Sequence, residues 1–263
     1  MKGARSVLLL LFSLLLVTFA LNMPFPLANP QNSLSKLNFT ENYPQFIEGF
    51  KVSKTPMQGS SPREWTLLVY MAADNGSESA AFDDIKEMEE LGGTSQINIL
   101  VYVDFESNST GVNLGATTYN ITRDPPPVSG AIFSSPLATP LETDPNMGDP
   151  ETLLNFTLYG QSFAPANHYL LILWGLGAGY EGVCYDEGSD DWLIPGELAT
   201  VLENTTLEPI DIVAFDASFM GQLEVLYELG TASDLFLASE NLVPKEHFPY
   251  HVFLNSLLLF PDL

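Results

Sequence analysis

The sequence predicts an α/β domain built on a mostly parallel sheet with helices on both faces. Three observations carry that prediction. Thr66–Ala72 (TLLVYMA), Ile97–Phe105 (INILVYVDF) and His168–Trp174 (HYLLILW) are continuous apolar runs, the pattern of strands covered on both sides. Between the first two, Ala81, Phe82, Ile85 and Met88 recur at helical spacing, with acidic residues opposite. Strand and helix then alternate along the chain, which calls for parallel pairing through crossover helices.

The elements follow in order. Gly92-Gly93 stops the first helix. A hairpin-like pair is expected around Val112–Arg123, followed by a Pro-rich loop, Asp124–Pro145. Asp149 before Pro150 marks a helix start, with Leu153, Leu154 and Leu158 turned inward. Leu198, Val201 and Leu202 form a short helix. Ile210–Phe215 reads as a strand running straight into a helix at Phe219–Leu229, closed by Gly230, and Asp234–Ser239 is the last clear strand. In such sheets ligands sit at the carboxyl ends of the strands, here Asp74-Asn75, Gly175–Tyr180, Asp216–Gly221 and Glu240–Tyr250.

The N-terminus has the pattern of a secretory signal, residues 1–28. Lys2 and Arg5 precede the apolar run Val7–Ala20, which is followed by turn-forming residues. An uncleaved anchor is the alternative, and either places the rest of the chain outside the cytoplasm, secreted or otherwise extracytoplasmic. Sequons at Asn38, Asn75, Asn108, Asn120, Asn155 and Asn204 agree with export. Residues 29–64 read as a linker or arm, and residues 65–263 as one domain. With 46% hydrophobic residues and a single cysteine, Cys184, that domain must rest on a packed core and has no internal disulfide. The formal charge of −24 repels phosphate backbones and anionic lipid, so neither nucleic acid nor a membrane surface is an expected partner. Basic peptides or a protein partner remain open. No cofactor is expected; the acidic run Asp186–Asp191 matches no calcium-loop template, so calcium has no support at that point.

Two loops occupy positions where chemistry could sit. Gly175-Leu-Gly-Ala-Gly179 lacks the third glycine and following helix of a dinucleotide fingerprint. Asp216-Ala-Ser218-Phe-Met-Gly221 stands at a strand-to-helix turn, but Asp216 occupies the place of an elbow glycine. A nucleophilic serine also needs a base. The plainer reading makes Ser218 the N-cap of the following helix, with Asp216 favoured by the helix dipole.

WTLLVYMAADN (Trp65–Asn75), IKEMEELG (Ile85–Gly92), NMGDPETL (Asn146–Leu153), HYLLILWGLGAGY (His168–Tyr180), FDASFMGQLEVLYEL (Phe215–Leu229) and ASENLVP…FPY (Ala238–Tyr250) resemble, in order, the clostripain family of caspase-like cysteine peptidases. The resemblance implies a caspase-like sheet and a His–Cys dyad. It also implies that the histidine position is Leu176 and the cysteine position Ser218, so that both dyad groups are replaced. Leucine cannot move a proton, and a serine hydroxyl depends on the missing base more than a thiol does. The family cuts after Arg or Lys and matures by cutting itself between the dyad residues, yet Leu176–Ser218 contains no basic residue.

His168 is expected at the opposite end of the sheet, while His247 and His251 flank the last loop; a Ser218–His247 pair is the alternative that would leave a residual hydrolase. Cys184 reads as a buried small hydrophobe. The resemblance makes Asp216, with Glu240, a carboxylate for a basic side chain. The expectation is an exported, non-catalytic homologue that engages basic peptide segments or a protein partner. The resemblance also implies a further strand after Asp234–Ser239, so the domain is expected to be truncated after Leu263 or completed differently.

Overall fold

The computed structural model describes residues 62–105, 115–123, 133–139, 144–205, 208–244 and 248–259. The expected signal, residues 1–28, and nearly all of the expected arm lie outside the described residues, as does His247.

The apolar runs become strands β1 (Arg63–Ala72), β2 (Ile97–Phe105), β4 (Ala166–Trp174), β7 (Ile212–Asp216) and β8 (Leu235–Leu237). With β3 (Gly115–Asn120) they form a six-stranded sheet in the order β3-β2-β1-β4-β7-β8. Every pair is parallel except β2–β3. The fold is therefore the mostly parallel α/β sheet that the sequence predicts.

The helices lie on both faces because β1, β2 and β4 alternate two apolar sets. Leu68, Tyr70 and Ala72 pack with α2 (Pro150–Phe163), α3 (Pro195–Asn204) and α4 (Leu223–Leu229). Leu67, Val69 and Met71 pack with α1 (Glu78–Leu91) and α5 (Tyr250–Leu259). Asp149 starts α2 as expected, its side chain accepting from the Glu151 amide ahead of Pro150. Gly92, at φ 60°, ends α1 where only glycine avoids strain, and the Arg123 backbone presses against it.

Two expectations need correction. The hairpin-like pair around Val112–Arg123 is instead one strand, β3, whose antiparallel partner is β2 itself; residues 112–114 lie outside the described residues. Local alternation identifies a strand but not its neighbour. The last crossover helix does not begin at Phe219. Residues 218–221 are turns, Phe219 has φ 66°, and α4 starts only at Leu223. The cause is tertiary: the Gly221 amide donates to the Ser239 carbonyl (2.8 Å), drawing the loop toward the exit of β8 before the helix can form.

A small second sheet, β5 (Val183–Asp186) with β6 (Asp191–Leu193), follows the glycine loop. Asn75 ties it to β1, its amide donating to the carbonyls of Ala72 (2.9 Å) and Tyr185 (2.8 Å), so this sequon asparagine is used in packing.

Candidate functional site

The site is built where β4 and β7 end side by side. Trp174 pairs with Asp216, and the Gly175 amide reaches the Asp216 carbonyl at 3.3 Å. The loops that leave these strands therefore touch. At Gly177 a Cβ would stand 2.9 Å from the Ser218 nitrogen and closer still to its carbonyl oxygen. That contact packs the loop after β4, in which Leu176 precedes Gly177, against the backbone of Ser218. Gly175, at φ 141°, packs under the Ala72 carbonyl, so β1 closes the third side.

Leu176 is 40% exposed, and its carbonyl accepts from the Cys184 amide at 2.9 Å. Ser218 is half-buried. Its Oγ accepts from the Val243 amide at 2.9 Å, while the Phe219 amide donates to the Asn241 carbonyl at 3.0 Å. Ser218 therefore does not cap α4; it holds the segment that follows β8. Among the described residues, the partner of its hydroxyl is an amide donor, which cannot accept a proton.

Asp216 is fully buried. Its Oδ2 accepts from the Phe248 amide (3.1 Å) and from the Tyr250 hydroxyl (2.9 Å). Burial, and then the charge of Asp216, push the Tyr250 hydroxyl well above its usual range, so it remains a donor. Glu240 is exposed, and its backbone nitrogen lies 2.9 Å from where a Gly221 Cβ would stand. Asp216 thus lies buried two residues before Ser218, and Glu240 lies exposed beside Gly221.

The histidines sort as follows. His168 pairs with Trp65 at the start of the strands, the end away from the loops, and its Nδ1 lies 3.0 Å from Asp211 Oδ1. His251 sits on α5 with Nδ1 3.1 Å from Glu87 Oε2 of α1. His247, the alternative base, lies outside the described residues. Cys184 is fully buried at φ 54°, and burial pushes its thiol far above the ordinary range, which keeps it protonated and inert.

Residue types alone could not identify Val243 as the partner of Ser218, because the contact uses a main-chain amide that any residue could supply. Tyr250 had a signal: it closes the FPY segment quoted for the resemblance, and an aromatic hydroxyl in a buried position needs an acceptor.

Comparison with known proteins matches the chain to a family. Residues 69–259 fit the family model described as the clostripain family. Clostripain from Hathewaya histolytica is 28% identical over 275 residues, covering 94% of this chain and 50% of that protein. A secreted C11 cysteine protease from Bacteroides thetaiotaomicron, solved with an irreversible peptide inhibitor, superposes with a TM-score of 0.61 at 24% identity. That match covers 74% of this chain and 54% of the protease. An inactive zymogen C11 protease from Parabacteroides distasonis superposes with a TM-score of 0.57 at 24% identity, over 73% of this chain and 52% of the other. The chain spans about half the length of the relatives it matches.

Proposed function

The chain belongs to the clostripain family, and on that premise we propose that it is a non-catalytic, exported member that engages basic peptide segments. The observation that carries the non-catalytic reading is the contact of Gly177 with Ser218. It joins the two loops in which the family resemblance implies a histidine position at Leu176 and a cysteine position at Ser218. A leucine there moves no proton, and the Ser218 hydroxyl accepts an amide hydrogen bond from Val243. With no base beside Ser218 among the described residues, nucleophilic attack by serine loses most of its acceleration.

Export is supported by the charged start and apolar run of Lys2–Ala20 and by the sequons. Binding of a basic segment is supported by the two carboxylates beside the loops. Asp216 is engaged by Phe248 and Tyr250, so its part is to hold the turn beside Ser218. Glu240, exposed at the rim, is the carboxylate that an Arg or Lys side chain would meet first.

Incubation of the chain with Arg- and Lys-peptide reporters tests the reading. No turnover above buffer is expected, together with binding of an uncleaved Arg peptide that weakens severalfold in Glu240→Gln. Turnover abolished by Ser218→Ala would replace this reading with a residual serine hydrolase. Peptide binding unchanged in Glu240→Gln would remove the specificity claim and leave the non-catalytic one standing.

A further inference from the structure

β8 ends the six-stranded sheet, and among the described residues no strand pairs with its outer side. The Leu235 amide donates inward to the Asp211 carbonyl (3.1 Å), so at the two-residue period of a strand the Phe236 amide points outward. Edge strands in soluble proteins are charged, interrupted or covered. β8 reads Leu-Phe-Leu, and Leu235 is exposed. The helices on either face turn apolar flanks to this edge. On α4, a Cβ at Gly196 of α3 would stand 3.2 Å from Glu228 Oε1, so the flank with Glu228 faces α3, away from the edge. The opposite flank carries half-buried Leu226 and exposed Leu223. On α5, His251 is turned to Glu87 of α1, and the opposite flank carries Phe253 and Leu257, both half-buried. The edge of the sheet is therefore an apolar slot, walled on both faces and open along β8.

We propose that residues 46–52 of this chain's own N-terminal arm fill the slot, adding an antiparallel strand to the outer edge of β8. That segment, which lies outside the described residues, reads FIEGFKV and holds strand-favouring Phe46, Ile47, Phe50 and Val52. In a strand Phe46 and Ile47 point to opposite faces, as a slot with two apolar walls requires. Charge favours the same occupant. Residues 29–61 hold Lys36, Lys51 and Lys54 against Glu41 and Glu48, a net positive charge. The chain after them holds only Arg63, Lys86, Arg123 and Lys245 against nearly all of the 33 acidic residues. The reach is sufficient. Leu235 is level with Ile212, Leu170 and Leu67, so a strand outside β8 stands four spacings, about 19 Å, from β1. The chain from Val52 to Arg63 spans up to about 36 Å. Antiparallel pairing delivers that chain to the end of the sheet where β1 begins, which is the shorter path. The added strand would also brace the exit of β8, whose Ser239 carbonyl accepts from Gly221 of the Ser218 turn. The proposal does not depend on whether the Leu176 and Ser218 loops are catalytic.

Amide hydrogen exchange of the full chain, read residue by residue, is the test. The Phe236 amide is expected to be protected to the same degree at every protein concentration. Phe46→Asp combined with Phe50→Asp should speed its exchange by roughly tenfold or more. The Ile172 amide, in the middle of β4, should keep its rate in that variant, which separates release of the arm from unfolding of the domain. Phe46→Leu combined with Phe50→Leu should retain the protection. A Phe236 amide that exchanges equally fast in the parent and the Asp variant would overturn the proposal. So would protection that grows with protein concentration and ignores the Asp substitutions, which would assign the edge to a second copy of the chain.

Discussion

The Tyr250 hydroxyl donates a 2.9 Å hydrogen bond to Asp216 Oδ2, joining the first residue of α5 to the last residue of β7 with both side chains fully buried. This bond, with the amide of Phe248, decides the orientation of the only carboxylate in the Asp-Ala-Ser turn. It also turns the segment after β8 back over the sheet, where Tyr250 and Leu254 join the apolar cluster under α1.

Tyr250→Phe keeps the ring and removes the donor. Asp216 Oδ2 would then keep the Phe248 amide but lose half of its described partners. The expected cost is about 1–3 kcal/mol, read as a lower urea midpoint at unchanged m-value. A midpoint equal to the parent would mean that the bond contributes nothing to folding.

Gly177→Ala drives a methyl group into the backbone of Ser218, where rigid main chain rather than a flexible side chain must yield. Overpacking of this kind costs about 1–3 kcal/mol. It should also loosen the Ser218–Val243 bond, seen as faster amide exchange at Val243. Unaltered exchange and stability would show that the loops are less closely joined than the structure places them.

If the missing groups are all that prevents thiol chemistry, replacing both should restore reactivity. Ser218→Cys alone is expected to alkylate slowly at neutral pH. Adding Leu176→His at the exposed neighbouring position should lower the thiol pKa and speed iodoacetamide labelling by roughly tenfold. Equal labelling of the single and double variants would argue that residues 176 and 218 do not face each other.

Glu89 provides a pH dependence. Burial alone would raise its carboxyl pKa, but hydrogen bonds from Lys86 Nζ (2.7 Å) and the Ser135 amide (2.7 Å) outweigh burial and hold it below the ordinary value. A depressed folded-state pKa stabilises the fold above the unfolded-state value, and that stabilisation is lost as pH falls through the folded one. Glu89→Gln should therefore lower stability at pH 7 and flatten the loss of stability in acid. A variant whose acid transition matches the parent's would show that the Ser135 contact is not what holds this carboxylate.

Much of the architecture was legible before any tertiary contact was known. Strands buried on both faces leave unbroken apolar runs, so Ile97–Phe105 was bounded to the residue, and Asp149-Pro150 and Gly92 mark helix ends through backbone chemistry that acts locally. That the loops carrying Leu176 and Ser218 leave the sheet side by side was also legible, because parallel strands deliver their carboxyl-end loops to one edge. Ser218 was not: serine before an apolar helical pattern signals an N-cap, and only the pull of Ser239 and Asn241 on the loop delays α4 to Leu223.

Alone, then, the sequence determined the α/β class, the order of its main strands and helices, and the identities at the two loop positions, since these follow from period, local backbone chemistry and residue type. The tertiary structure decided three things that depend on which distant segments meet. It paired β3 with β2, turned the Ser218 hydroxyl toward Val243, and committed Asp216 to Tyr250. It also set Asp104, one polar residue in an apolar run, facing Asp74 and Asp144. Hydrogen bonds and charges act over a few ångströms of space, whatever the distance along the chain, and that is why these relationships waited for the fold.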